Sequence, residues 1–154
     1  MSVRLFPCDL LFIHRDAERD TYEQRLAEIE RELHGASFPY VPVVPVRMTE
    51  AWFLHSEAAI RSASGNPNGT VELKLPGVRN VSSVPDPKAL MEQLLLSAKG
   101  ATGRRRGRAL AAINQMKYLV PQYVESYEGL FEDESFASLS RAIDRALETV
   151  CVLR

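Results

Sequence analysis

No run of apolar residues in this chain approaches the ~20 that a membrane-spanning helix requires, and its N-terminus lacks the basic, then apolar, then small-residue order of a secretion signal. Both absences lead to the expectation of a cytoplasmic protein with no membrane partner. Cysteine is scarce: Cys8 and Cys151 stand near opposite ends, with no Cys-x-x-Cys pair and no histidines at zinc-finger spacing. They read as small buried hydrophobes rather than as ligands. A surplus of one charge is also missing, because 19 Lys and Arg face 20 Asp and Glu. The chain as a whole therefore exerts no strong pull on nucleic acid or an anionic membrane, and any such binding must use a local patch.

What is present is the composition of a packed domain. Hydrophobic residues make up 45% and charged residues 25% of 154, enough to bury most apolar surface without disulfides or structural metals. No internal repeat or long linker divides the chain, so the expectation is a single domain over residues 1–154.

Asp9-Leu10-Leu11-Phe12-Ile13-His14 is an apolar run too brief for a helix and fits a strand buried on both faces. Tyr22, Leu26, Ile29 and Leu33 then recur at helical spacing, with Glu23, Arg25, Glu28, Glu30 and Arg31 on the other side and Gly35 as a stop. Tyr40 to Val46 is valine-rich, but Pro42 and Pro45 each remove a ladder donor, which places this strand at a sheet edge. Strand, helix and strand make a right-handed crossover whose parallel strands share one C-terminal rim.

Thr49 to Ser64 reads as a helix with Trp52 as a core anchor, and Thr70 to Leu75 as a candidate third strand. Asp86-Pro87 starts a helix whose Leu90, Met91, Leu94 and Leu95 face a core. Gly100 to Gly107, with its glycines and Arg104, Arg105 and Arg106, reads as an exposed, mobile loop. A helix from Arg108 to Leu119, stopped near Pro121, and a C-terminal helix from about Ser135 complete the chain. The resulting fold class is α/β: a small, mainly parallel sheet with flanking helices and a helical C-terminal part.

Asp16 and Glu18 follow the first strand, and in extended backbone the single residue between them points both carboxylates the same way. Glu50 lies shortly after the second parallel strand, so the crossover brings it to the same rim, where open α/β sheets commonly bind ligands. Three carboxylates and several waters suit Mg²⁺ or Mn²⁺. The alternative is that acids between a strand and a helix simply favour the positive end of the helix dipole. His14 and His55 with Asp16 could form a two-histidine, one-carboxylate site, or be satisfied by local hydrogen bonds. Arg104, Arg105, Arg106 and Arg108 form the local basic cluster that could contact a phosphate backbone; the alternative is a solvated loop, which the absence of an aromatic residue to stack on bases favours.

The segments Leu11 to Arg19, Glu50-Ala51-Trp52-Phe53-Leu54, Pro85-Asp86-Pro87-Lys88 and Glu134-Ser135-Phe136 together resemble an uncharacterised bacterial family with a toprim-like fold. That family is similar, at a greater distance, to the toprim parts of primases, topoisomerases and overcoming-lysogenisation-defect nucleases, and its members are often encoded beside ATPases. The resemblance implies a toprim-like domain in which Asp16 and Glu18 match the Asp-x-Asp metal motif, with Glu18 in place of the second Asp. Glu50 would assist as ligand or general base. It further implies Mg or Mn as cofactor, DNA or RNA as partner, and nuclease-like phosphodiester processing; the open edge of so small a sheet adds the expectation of an assembly, either a homo-oligomer or one with a second protein such as an ATPase.

The chain departs from that pattern at two places. The earlier toprim strand ending in Glu has no counterpart in the eight residues before Asp9, and His55-Ser56-Glu57 stands where the family's next acid is usual. A second expectation therefore stays open, that of a noncatalytic toprim-like interaction subunit.

Overall fold

The computed structural model describes residues 8–18, 20–36 and 38–152. In chain order the elements are β1 (Leu11–His14), α1 (Tyr22–Glu32), β2 (Tyr40–Val43), α2 (Glu50–Phe53), α3 (Glu57–Ala63), α4 (Pro87–Lys99), α5 (Gly103–Ala111), α6 (Ile113–Leu119) and α7 (Glu134–Val152), with 3₁₀ turns at Val78–Ser83, Val120–Tyr123 and Glu128–Glu132. They gather into two compact units, one built from the chain up to Val46 together with the segment from Glu134 onward, the other from Arg47–Asp133. Among the described residues no helix is long and apolar enough to cross a membrane.

In the first unit β1 and β2 pair in parallel, with Leu11 opposite Tyr40 and His14 opposite Val43. The ladder runs on past the strands, the N–H groups of Leu11, Arg15 and Ala17 donating to the carbonyls of Pro39, Val43 and Pro45 at 3.1, 3.0 and 2.9 Å. Alternate residues of β2, among them Pro42, therefore turn their backbone groups away from β1. The donor that Pro42 lacks is missing on the side where this ladder does not need it.

The sheet's two faces are covered differently. Ala17, Ile29 and Val44 form one buried cluster with Ile13, Tyr22, Leu33 and Tyr40 around it, which is α1 packed on the sheet. Val41, Ala142 and Ala146 form another with Leu10, Val43, Leu139 and Ile143, so α7 lies against β2 through a stripe at helical spacing. Tyr40 and Val41 join opposite clusters, as the two-residue period of a strand demands.

The expected double-sided burial of Asp9 to His14 does not hold. Phe12 is 54% exposed, and Leu11 and Ile13 are only half-buried, because the described sheet has two strands and β1 is flanked by β2 alone. Cys8 and Cys151, expected to be buried, are both exposed; Cys8 precedes β1, and Cys151 falls off the apolar stripe of α7.

In the second unit the helix expected from Thr49 to Ser64 is divided. Ser56 takes extended backbone and its side chain accepts from the Ala59 N–H at 3.3 Å, starting α3 afresh. Trp52 is buried, as expected. Asp86 accepts from the Ala89 N–H at 2.8 Å with Pro87 behind it, and α4 buries Met91, Leu94, Leu95 and Ala98. This helix packs against α2, α3, α5 and α6.

Thr70 to Leu75 is irregular rather than a strand. The Leu75 N–H turns back to the Leu73 carbonyl at 3.0 Å, and Arg61 takes the Val71 carbonyl at 2.7 Å, so a bend and a side chain occupy groups that a strand would offer to a neighbour. Gly100 to Gly107 is likewise corrected: from Gly103 onward it is α5, because the intervening arginines and following alanines favour helix strongly enough to carry Gly107 within it. The helix expected from Arg108 to Leu119 is broken at Ala112, and Pro121 lies inside a 3₁₀ turn.

Candidate functional site

The sequence places its carboxylates after β1. Asp16 is half-buried and its Oδ1 lies 3.3 Å from His14 Nε2. Ala17 is buried, and Glu18 adopts φ 56, so the extended geometry that would align the two acids is interrupted at Glu18. Nearby, Arg25 is buried on α1 and donates to Asp20 Oδ2 at 2.5 Å and to Glu28. Its hydrogen bond to Glu28, with the charges of Glu28, Asp20 and Glu18 acting against the cost of burial, raises the Arg25 pKa. The same bond, helped by the charges of Arg15, Arg25 and Arg31, holds the Glu28 carboxyl below its ordinary range.

Glu50 opens α2, in the second unit. Among the described residues, no group of three or more His, Cys, Asp or Glu side chains is arranged to hold a metal ion. Asp16, Glu18 and Glu50 therefore make no such group, and the cation seen beside Asp20 and Glu28 is a guanidinium. Both candidate histidines, His14 and His55, have local partners. His14 faces Asp16, while His55 places Nδ1 2.7 Å from the Trp52 carbonyl oxygen and Nε2 3.1 Å from that of Ser126, with the Tyr127 ring centroid 5.9 Å away.

A different cluster forms in the second unit, where a cavity of about 490 Å³ is lined by Gly65, Asn66, Lys99, Gly100, Ala101, Arg105 and Arg108. Three segments build it. The turn after α3 supplies Gly65 and Asn66; the end of α4 supplies Lys99 and Gly100; one face of α5 supplies Arg105 and Arg108, three residues apart and hence neighbours on a helix. The Asn66 side-chain amide donates to the Ala98 carbonyl at 2.8 Å, and Lys99 Nζ donates to the Ser64 carbonyl at 2.9 Å, pinning the turn to the end of α4. Gly65 and Gly100 have φ of 74 and 62, values that disfavour any side chain. Among the described residues, the lining holds three cations, no carboxylate and no aromatic ring.

The expected arginine cluster is thus sorted. Arg105 and Arg108 line the cavity; Arg104 and Arg106 are exposed on α5 but do not line it. Lys99 and Asn66 escaped the sequence reading. A lysine before a helix-ending glycine and an Asn in a turn are each ordinary, and only contacts spanning 35 and 32 residues unite them. No family model, curated protein or solved structure matches this chain.

Proposed function

We propose that this chain is a nucleic-acid-binding component of a phosphodiester-processing assembly, and that it engages phosphates through the cavity formed by the Gly65–Asn66 turn, the end of α4 and α5. The observation that carries this reading is the convergence of Lys99, Arg105 and Arg108 on one cavity without an acid in its lining. Guanidinium groups match phosphate oxygens with forked donors, and the lysine adds a point charge held in place by the Ser64 carbonyl. Without aromatic rings the site has nothing on which to stack bases, so it reads phosphates rather than sequence.

This reading favours a noncatalytic interaction subunit within a toprim-like family. What supports the toprim-like fold is the parallel β–α–β unit with Asp16 and Glu18 following β1. The catalytic form, a metal-dependent nuclease with Mg²⁺ or Mn²⁺ at Asp16 and Glu18 and with Glu50 assisting, would need further ligands from a second copy or another protein such as an ATPase. Calorimetric titration with Mn²⁺ decides that point: binding by the wild type that Asp16→Ala abolishes would favour catalysis, and equal curves would remove Asp16 from any metal site.

The main reading is tested by the affinity of the Lys99→Ala, Arg105→Ala, Arg108→Ala triple variant for DNA and RNA. A loss of about tenfold or more is expected, since each charge-assisted contact contributes on the order of 1.5–3 kcal/mol when well formed. Unchanged affinity would overturn the assignment of the cavity.

A further inference from the structure

We infer that the cavity selects the terminal phosphate of a nucleic-acid strand over the diesters within the strand. This rests on the phosphate-binding reading above and narrows it to a chemical class, the phosphomonoester. The first argument is charge. A diester carries one negative charge, whereas a monoester carries about −1.5 to −2 at neutral pH and offers three strong acceptor oxygens. Lys99, Arg105 and Arg108 together, with no acid in the lining, match the second better than the first.

The second argument is shape. The cations approach from two helices: Lys99 sits at the end of α4, its Nζ held 2.9 Å from the Ser64 carbonyl oxygen, and Arg105 and Arg108 come from α5. An internal phosphate is flanked by sugars on both sides and must lie along a groove, while a terminal one projects and enters a concavity. The remaining lining is small, and its backbone enforces that. Gly65 and Gly100 are left-handed, with φ of 74 and 62, a backbone conformation that side chains rarely adopt. The third argument is the lack of any ring against which the terminal base could stack. Recognition then stops at the phosphate and is indifferent to sequence.

The test compares one labelled oligonucleotide sequence in four forms: 5′-phosphorylated, 3′-phosphorylated, hydroxyl at both ends, and covalently closed into a circle. Fluorescence anisotropy should show at least one phosphorylated end binding about tenfold more tightly than the hydroxyl and circular forms, the scale of one added charge-assisted contact. The preference should shrink between pH 7.5 and 5, as the monoester loses its second charge near a pKa of about 6. It should disappear in Arg108→Ala and in Lys99→Gln.

Equal binding of all four forms, still sensitive to those substitutions, would overturn end selection and leave the phosphate-binding reading standing. No binding of any form would overturn both. A preference that survives both substitutions would place end recognition elsewhere on the chain and overturn the assignment. Adenosine 5′-monophosphate competing as tightly as the phosphorylated strand would overturn the strand as ligand, in favour of a free phosphomonoester.

Discussion

Arg25 lies buried on α1 and holds Asp20 and Glu28 from there. Because Glu28 is bound in its ionised form, its folded-state pKa lies below the ordinary 4.5. A depressed carboxyl contributes stability that is present above the unfolded pKa and lost as pH falls through the folded one. Thermal melts of wild type and Glu28→Gln should therefore differ most above about pH 5 and converge in more acidic solution. A difference constant from pH 7 to pH 3 would show that the charge on Glu28 plays no part. At the start of the same helix, Thr21 accepts from the Gln24 N–H at 3.2 Å while Gln24 returns a bond to the Thr21 N–H at 2.9 Å. Thr21→Ala should cost about 1 kcal/mol, read as a lower denaturant midpoint at unchanged slope. The caps were within reach of the sequence, as Thr-x-x-Gln and Asp-Pro spell them out. The burial of Arg25 was only half legible: three residues after Tyr22 and four before Ile29, it borders the apolar stripe of α1, but only the two acids around it make burial of its charge tolerable.

At the scale of elements, α4 stands to lose stability from a cavity. Leu95 is fully buried on it, and Leu95→Ala should destabilise the second unit by about 2–5 kcal/mol, visible as an earlier urea transition; a shift under half that range would mean the site collapses around the loss. The helices α1, α4 and α7 were legible because their apolar residues recur at helical spacing, β1 because its apolar run is too short for a helix, and β2 because its valines cluster. Thr70 to Leu75 misled because its alternation is that of a strand, while the groups a partner would bind are taken by Arg61 and by a local bend. Gly100 to Gly107 misled in the opposite sense, its glycines outweighing arginines that in fact turn a helix. For the candidate site the cluster Arg104 to Arg108 was legible as positive charge. Its partition between a cavity face and open solvent was not, since that depends on the helical phase of α5 and on where Lys99 lies.

Taken as a whole the protein carries a formal charge of −1, so the proposed nucleic-acid affinity should come from the cavity rather than from a general field. Neutralising the roughly two charges of one terminal phosphate predicts a log–log salt slope of roughly −2 for a 5′- or 3′-phosphorylated strand. In the triple alanine variant the slope should flatten toward zero. A wild-type slope much steeper than this would mean that Arg104, Arg106 or another surface contributes comparably.

The first unit's chain leaves after Val46 and returns only at Glu134, and this has a consequence for biogenesis. On the ribosome, β1, α1 and β2 emerge early, yet the face of β2 that buries Val41 waits for Ala142 and Ala146. Everything between must be translated first, and that intervening stretch carries buried residues of its own, among them Leu54, Ile60, Met91 and Leu95. Domains generally fold as units in the order in which they are made. Here the order is inverted: the inserted unit can be finished while the unit begun first still exposes one side of its sheet. Nascent chains arrested with residues up to Asp133 outside the exit tunnel should resist protease across the inserted unit and be cut within 8–46, and release of α7 should protect both. Until then the half-covered sheet is the segment a chaperone would find.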